Sequence, residues 1–319
     1  MEDHLTPKNP DPGSLKPHDA WGWCYVLLAS GLTGLAIFLS SRPEIASWIV
    51  GQILLSLSLL QWFALLHEAG HKTLFRTAAL NKVWGYVAGF WALIPFDCWK
   101  LIHARHHYWT GWQDLDATTA TLVPRPLNWF ERAIVIICWW TWIPLFSTLY
   151  RLNNYWHLPR LFGYFPQARQ HWRLTLNILI YLAAYVASIV WLGPQQSLEL
   201  FGLGLLLTLM MQDPLILSQH THIPMELSGG SPVTPFAPGE QEVFTRSLTF
   251  PNWFSRWILV NLDAHELHHV HPSVPGYYLH TLQRPTLNGV PWWQWLLRAK
   301  RVRGDVLLFQ NRKLTGYDI

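Results

Sequence analysis

Histidine is the residue type on which this sequence turns. Most of its 16 histidines fall in four places. His67 and His71 lie in H-E-A-G-H; His103, His106 and His107 in H-A-R-H-H; His220 and His222 in Q-H-T-H; His265, His268 and His269 in H-E-L-H-H. On a helix, residues i, i+3 and i+4 share one face. H-x-x-x-H therefore presents two imidazoles side by side, and H-x-x-H-H presents three. Neutral imidazole ligates iron, zinc, copper and nickel. One ion needs about four protein ligands, so the eight box histidines with His220 suffice for two. With His at 16 of 319 positions, one H-x-x-H-H arises by chance roughly 0.04 times, and this chain has two. Paired metals beside an apolar bundle suit redox chemistry on a greasy substrate. Iron, which changes valence and activates oxygen, is the expected ion.

Other polar residues stand close to these boxes. Glu68 and Glu266 lie inside two of them and are candidates to accept the proton on a ligand's second ring nitrogen. Asp114 and Asp116 follow the second box in W-Q-D-L-D and either bond a histidine or cap a turn. Asp213 sits within an apolar run beside Gln212 and Pro214, where a carboxylate is costly and so a functional candidate. Asn261 and Asp263 precede the third box. His222 and His271 exceed the ligand set and are expected to support it. Trp91, Phe96 and Trp99 either line a substrate tunnel or pack at the interface. His4, His18, His157, His171 and His280 are read as structural.

The elements that must position these groups are membrane helices. Half of the 319 residues are hydrophobic and only 13% are charged, against about 25% for an ordinary soluble domain. That argues against a soluble enzyme or a disordered chain. Lys and Arg exceed Asp and Glu by only four and form no dense block, which argues against a nucleic-acid binder. Cys24, Cys98 and Cys138 are scattered and odd in number, which excludes a disulfide framework or a CxxC zinc pair. The 21 tryptophans suit a membrane interface. A span needs roughly 20 mostly apolar residues, and about 21–40, 46–66, 174–192 and 200–217 supply four, as two hairpins with tight outer turns. A tunnel between the second and fourth spans is expected.

The polar, proline-rich lead does not have the pattern of a signal peptide. Val83–Pro95 is too short to cross, and Ala133–Leu149 is read as one helix lying in the interface. Ser228–Glu240 is expected to be a flexible cover. Basic residues crowd between the hairpins, so the positive-inside rule puts that segment, the boxes and both termini on the cytoplasmic side. The expected fold is an all-α integral membrane protein with four transmembrane helices in two hairpins. A cytoplasmic helical cap carries the three histidine boxes. Residues 1–20 and 281–319 form cytoplasmic terminal segments around a di-iron domain over 21–280.

The boxes resemble those of the membrane fatty acid desaturase superfamily, the histidine-rich non-haem di-iron enzymes. The likeness runs from about Trp21 to His280 and keeps the order and spacing of the three boxes. Leu217–Pro224 (L-S-Q-H-T-H-I-P) and His268–Pro275 (H-H-V-H-P-S-V-P) are similar to segments of the acyl-lipid branch. The tyrosine-led form of the third segment is not kept, since Ala264 precedes His265. The resemblance implies nine metal ligands, with His220 completing the boxes and His222 in reserve. It implies two iron ions (Fe2+/Fe3+), O2 as co-substrate, and a double bond introduced into a fatty acyl chain of a lipid. Electrons are expected from a separate ferredoxin or cytochrome b5. Hydroxylases, ketolases and decarboxylases acting on carotenoids, alkanes or fatty acids share the boxes and are the alternative. The chain length suits a bacterial inner membrane or thylakoid enzyme better than one of the endoplasmic reticulum.

Two rival readings stand outside that superfamily. H-E-A-G-H is a literal zinc-protease motif, with Glu68 as base and Asp263 as a poor third ligand; it leaves seven of the nine candidate ligands unexplained. A metal-carrying membrane protein would place its ligands within the spans, whereas these lie at and beyond their ends.

Overall fold

A computed structural model describes residues 10–282 and 286–319. His4 and the first part of the 1–20 segment lie outside the described residues. The chain is mostly helical. Helices α1 (Asp19–Ser40) and α2 (Ile45–His71) come first, then α3 (Ala78–Ala92), α4 (Phe96–Trp109), α5 (Trp129–Thr141), α6 (Leu145–Arg151) and α7 (Leu158–Tyr164). Next are α8 (Ala168–Leu192) and α9 (Pro194–His220), and a 3-10 turn over Pro238–Phe244. The last are α10 (Asn252–Trp257), α11 (His265–Val270), α12 (Gly276–Leu279), α13 (Trp292–Arg301), α14 (Gly304–Phe309) and α15 (Arg312–Thr315). Two two-residue strands, Leu248–Thr249 and Val290–Pro291, pair in parallel, a small departure from an all-α reading.

Helices α1, α2, α8 and α9 are long and apolar enough to cross a membrane. Two of them outrun their apolar segments in a telling way. α2 continues past Leu66 to His71 and α9 past Leu217 to His220, so each carries histidine on its last turn. α1 starts on His18, whose ring nitrogen accepts from the Ala20 N–H. Asp19 then ties this end to α3 by accepting from the Thr77 N–H (2.9 Å) and hydroxyl (2.7 Å).

Small and hydroxylated residues let the apolar helices approach, as they do where lipid removes any hydrophobic driving force. A Cβ on Gly51 would lie 2.4 Å from the Ser40 hydroxyl, and one on Gly204 would lie 2.7 Å from Leu55. The Thr33 and Ser58 hydroxyls meet at 2.6 Å between α1 and α2, with the Trp62 indole donating to Thr33 at 2.9 Å. Gln52 on α2 donates to the Leu200 carbonyl and accepts from the Gly204 N–H of α9. α2 is the most enclosed of the four, and its buried side packs into the main core with Tyr25, Phe75, Ile94 and Phe96.

The segment read as one interfacial helix is broken. α5 and the helical stretch from Leu145 to Trp156 meet at 115°. Trp142 takes a left-handed backbone (φ 62°), and Pro144, lacking an N–H, cannot continue the ladder. The bend opens a recess beside α9, whose walls are described below.

Candidate metal centre

Helix ends bring the histidines together. α2 stops directly after His71 because Lys72 is left-handed (φ 63°). α4 is held at its start by Asn177 of α8, whose side-chain oxygen accepts from the Asp97 N–H at 3.0 Å. α9 ends at His220, and the six-residue α11 carries the third box.

Two groups result. His67, His71, His103 and His268 each offer one nitrogen, all within 4.8 Å of one another, and His106, His220, His265 and His269 do the same. In the first group, His71 and His103 approach Nε2 to Nε2 at 2.8 Å. His107 stands at its edge, 3.1 Å from His103 and 3.0 Å from His268. In the second, the Nε2 separations are 2.8 Å for His220–His265, 3.1 Å for His265–His269 and 3.2 Å for His106–His269. The His107 and His269 rings lie 4.4 Å apart and join the groups.

The opposite ring nitrogens reveal the protonation pattern. His67 Nδ1 lies 3.2 Å from Glu68 Oε1, His106 Nδ1 2.7 Å from Asp116 Oδ2, His269 Nδ1 2.9 Å from Gln241 Oε1, and His220 Nδ1 3.1 Å from the Phe244 carbonyl. These oxygens accept, so each ring in its neutral form carries its proton on Nδ1 and its lone pair on Nε2. Gln241 cannot turn the other way, because its amide nitrogen donates to the His107 carbonyl at 2.8 Å. His106 and His269 therefore face each other lone pair to lone pair, an arrangement that suits a cation between them. His67 Nε2 is buried without a hydrogen-bond partner among the described residues. Burial, reinforced by neighbouring imidazoles, holds His103, His107, His265, His268 and His269 well below the ordinary histidine range. Neutral rings with inward lone pairs fit a metal at each group.

The supporting residues divide sharply. Glu68 anchors His67, accepts from the Thr73 hydroxyl at 2.6 Å and takes the Gly276 N–H at 2.8 Å. Its carboxylate thus lies behind a histidine, not in front of the pair where a protease base would act. Asp116 anchors His106, while Thr118 bonds both of them.

The other candidates bond elsewhere. Asp114 takes the Ser228 and Gly229 loop. Glu266 takes the Ser247 and Asn288 N–H groups. Asp263, pushed up to about 6 by burial, accepts from the Ser255 hydroxyl. Asp213 accepts from the Ser147 N–H and fastens α6 to α9. His222 faces the C-terminal segment, bonding Thr315 at 2.6 Å and stacking on Tyr317. The N–H of His271 closes the last turn of α11. Asn261 donates to the Gly276 carbonyl at 2.9 Å. Sequence reasoning missed Gln241 and the Phe244 carbonyl altogether. Gln241 is 28 positions from the ring it serves, and no spacing rule reaches that far.

A small pocket opens onto the histidines, lined by His67, His103, His106, His220, His265, Trp99, Phe63, Leu122, Phe146 and Tyr150, among others. Trp99 stacks on His103 at 4.3 Å. Phe96 instead packs on Tyr86, and Trp91 on Phe201; neither lines this pocket. A larger, mainly apolar recess of about 580 Å³ lies against the α5–α6 bend. It shares Leu122, Phe146 and Tyr150 with the histidine pocket. The groove between α2 and α9, about 600 Å³, shares no residue with the histidine pocket. The recess that shares walls with the histidine pocket thus lies beside α9 and the α5–α6 bend.

Fold and site together define a membrane protein with paired histidine clusters able to bind metal. The sequence pattern of the fatty acid desaturase family matches residues 43–297, and the chain belongs to that family. It is 23% identical to an endoplasmic reticulum omega-3 fatty acid desaturase of Vigna radiata var. radiata, over 68% of this chain and 58% of that protein. It is 24% identical to a probable fatty acid desaturase DES1 of Sorghum bicolor, over 81% of this chain and 68% of that protein. It is 21% identical to an sn-1 oleoyl-lipid 12-desaturase of Synechocystis sp. (strain ATCC 27184 / PCC 6803 / Kazusa), over 68% of this chain and 62% of that protein. The chain thus spans about 58% to 68% of the length of these relatives.

Proposed function

We propose that this protein is an O2-dependent di-iron oxidoreductase that introduces a double bond into a fatty acyl chain. The observation that carries the proposal is the pair of four-histidine groups, in which His67, His106, His220 and His269 are anchored at Nδ1 and turn Nε2 inward. His67, His71, His103, His107 and His268 are assigned to one iron, and His106, His220, His265 and His269 to the other. When bound, the iron pair supplies the oxidising power that removes hydrogen from an unactivated C–H bond.

The protein's own residues do the rest. Glu68, Asp116, Gln241 and the Phe244 carbonyl hold ring protons at Nδ1 and so fix the tautomer and aim of four ligands, the usual task of groups behind a metal site. The apolar walls of the α5–α6 recess exclude water and accept a methylene chain. Leu122, Phe146 and Tyr150 lie where such a chain would pass toward the histidines. Small displacements there decide which carbon reacts, since positioning errors of ~1 Å are costly.

The finer topology belongs to this proposal too: two hairpins, a histidine-bearing cap on the cytoplasmic face, cytoplasmic termini, and the domain limits 21–280. The positions of His67, His71 and His220 on the last turns of α2 and α9 support it. A separate one-electron donor is proposed, in keeping with relatives whose names specify ferredoxin.

Metal analysis of the purified protein beside a His268→Ala, His269→Ala variant tests the centre. About two irons per chain, lost in the variant, are expected; one zinc that survives it overturns the reading. Expression in a host of defined lipids, followed by mass spectrometry of fatty acids, hydrocarbons and carotenoids, tests the reaction. A new acyl double bond is expected. A hydroxylated, ketolated or chain-shortened product would assign a sister activity.

A further inference from the structure

A second recess, of about 540 Å³, lies away from the histidines and shares no lining residue with their pocket. Its wall is the first half of α8. Arg169, Arg173 and Asn177 recur at intervals of four and so form one stripe along the helix. Trp172, Leu176 and Ile180 recur at the same interval and form the stripe beside it. Both stripes line the recess, with Gln170 of α8, Tyr86 of α3 and Asp97 of α4.

The two stripes differ in chemistry. Trp172, Leu176 and Ile180 are 68%, 43% and 51% exposed, although α8 is one of the four apolar crossing helices. They form an exposed apolar surface on a helix apolar enough to cross a membrane. The polar stripe above them is positively charged on balance. Asp97 is already engaged, by the Arg173 guanidinium and by the Tyr86 hydroxyl at 2.7 Å. Arg169 has no ion pair or hydrogen bond among the described residues, and Lys100 lies within electrostatic reach of Asp97 and Arg173.

Asn177 is the decisive residue. It is only 2% exposed. Its oxygen is used on the Asp97 N–H, which fixes the amide orientation. Its Nδ2 is then a buried donor without a partner among the described residues, in a residue that lines the recess. The Gln170 side-chain oxygen is likewise buried without a partner among them. Buried donors and acceptors left in this way cost free energy unless a ligand completes them.

We propose that this recess binds one anionic glycerophospholipid. The phosphate lies at Arg169 and Arg173, an ester carbonyl accepts from Asn177 Nδ2, a headgroup hydroxyl donates to Gln170, and an acyl chain lies along Trp172, Leu176 and Ile180. Basic recesses at the ends of crossing helices suit anionic headgroups, and Trp172 stands where interfacial aromatics stand. An acidic protein would meet the arginines but not the apolar stripe below them, so the lipid is the better fit. The site is distinct from the substrate path proposed above, and α4 links the two: its first turn forms part of this recess and its later turns carry His103, His106 and His107.

The test uses the full chain, delipidated in detergent, with phosphatidylglycerol or phosphatidylcholine of the same acyl chains added back. Native mass spectrometry counts retained lipid. We expect one phosphatidylglycerol held at least tenfold more strongly than phosphatidylcholine. Arg169→Glu, an exposed position in the first turn of α8, should abolish the preference, and Arg169→Gln should weaken it. Arg298→Glu, on the distant α13, should leave it intact. Equal retention of the two lipids overturns the proposal, as does wild-type behaviour of Arg169→Glu. An equal loss in Arg298→Glu would mean diffuse charge attraction and also overturn it. So would Arg169→Glu losing affinity for an acidic carrier such as ferredoxin while keeping phosphatidylglycerol.

Discussion

Replacing Asp116 by asparagine should separate the two metal positions. Asp116 is fully buried. One carboxylate oxygen meets His106 Nδ1 at 2.7 Å, and the other accepts from the Thr118 N–H at 2.8 Å and hydroxyl at 2.9 Å. An asparagine of the same shape must keep its oxygen on the two Thr118 donors. Its amide hydrogens then point at His106 Nδ1, which becomes an acceptor. The ring proton moves to Nε2, the nitrogen that faces His269 at 3.2 Å, and His106 can no longer ligate. Losing the partner behind a metal-bound histidine typically lowers affinity 10- to 100-fold, or ~1.4–2.7 kcal/mol. The deficit belongs to the group of His106, His220, His265 and His269; the group of His67, His71, His103 and His268 keeps Glu68 and is spared. Iron titration of stripped protein against a competing chelator reads the two sites directly. One weakened and one unchanged site is the expected result. Two unchanged sites, or two equally weakened ones, would refute the argument from tautomer control.

Three further outcomes are expected. Gly70→Ala puts a Cβ 2.0 Å from the Trp99 ring, which stacks on His103; overpacking of this kind costs about 1–3 kcal/mol, and a lower melting temperature with iron lost from the His103 group checks it. Leu122→Trp blocks the wall common to the recess and the histidine pocket, so acyl product should fall on the order of 10-fold or more while two irons remain, as gas chromatography and metal analysis would read. Acidification should destabilise the metal-free protein. His265, His268 and His269 are held well below 6.5 by burial, so the unfolded chain takes protons the folded one refuses. Their stability contribution is complete above about pH 6.5 and shrinks as pH falls, by up to about 1.4 kcal/mol per ring one unit lower. Stripped protein should melt earlier at pH 5.5 than at pH 7.5, and equal melting temperatures would contradict this.

Local spacing made the boxes legible. Helical periodicity puts His103, His106 and His107 on neighbouring faces whatever the rest of the chain does, and the same holds for His265, His268 and His269. The apolar runs were equally plain, because a bilayer imposes one length and one composition on any helix that crosses it. The break within 133–149 was harder. Pro144 is visible in the sequence, but the left-handed Trp142 at the 115° bend and the bond that the Ser147 N–H donates to Asp213 of α9 are not.

The amino-acid sequence by itself determined that histidines line up in sets and that apolar helices carry them, since the first follows from a period of three to four residues and the second from the length and composition of the apolar runs. Only the tertiary structure decided how the sets are shared out: His268 joins the first two boxes, while His106 leaves its own box to join His220, His265 and His269. It also decided which acids matter. Asp114 and Asp116 are two residues apart in one loop, yet one holds a distant loop and the other a histidine. The physical reason is the same in both cases. A hydrogen bond or a ligand cage needs atoms within about 3 Å, and for residues far apart in sequence, such as Gln241 and His269, that proximity is set by packing and not by spacing.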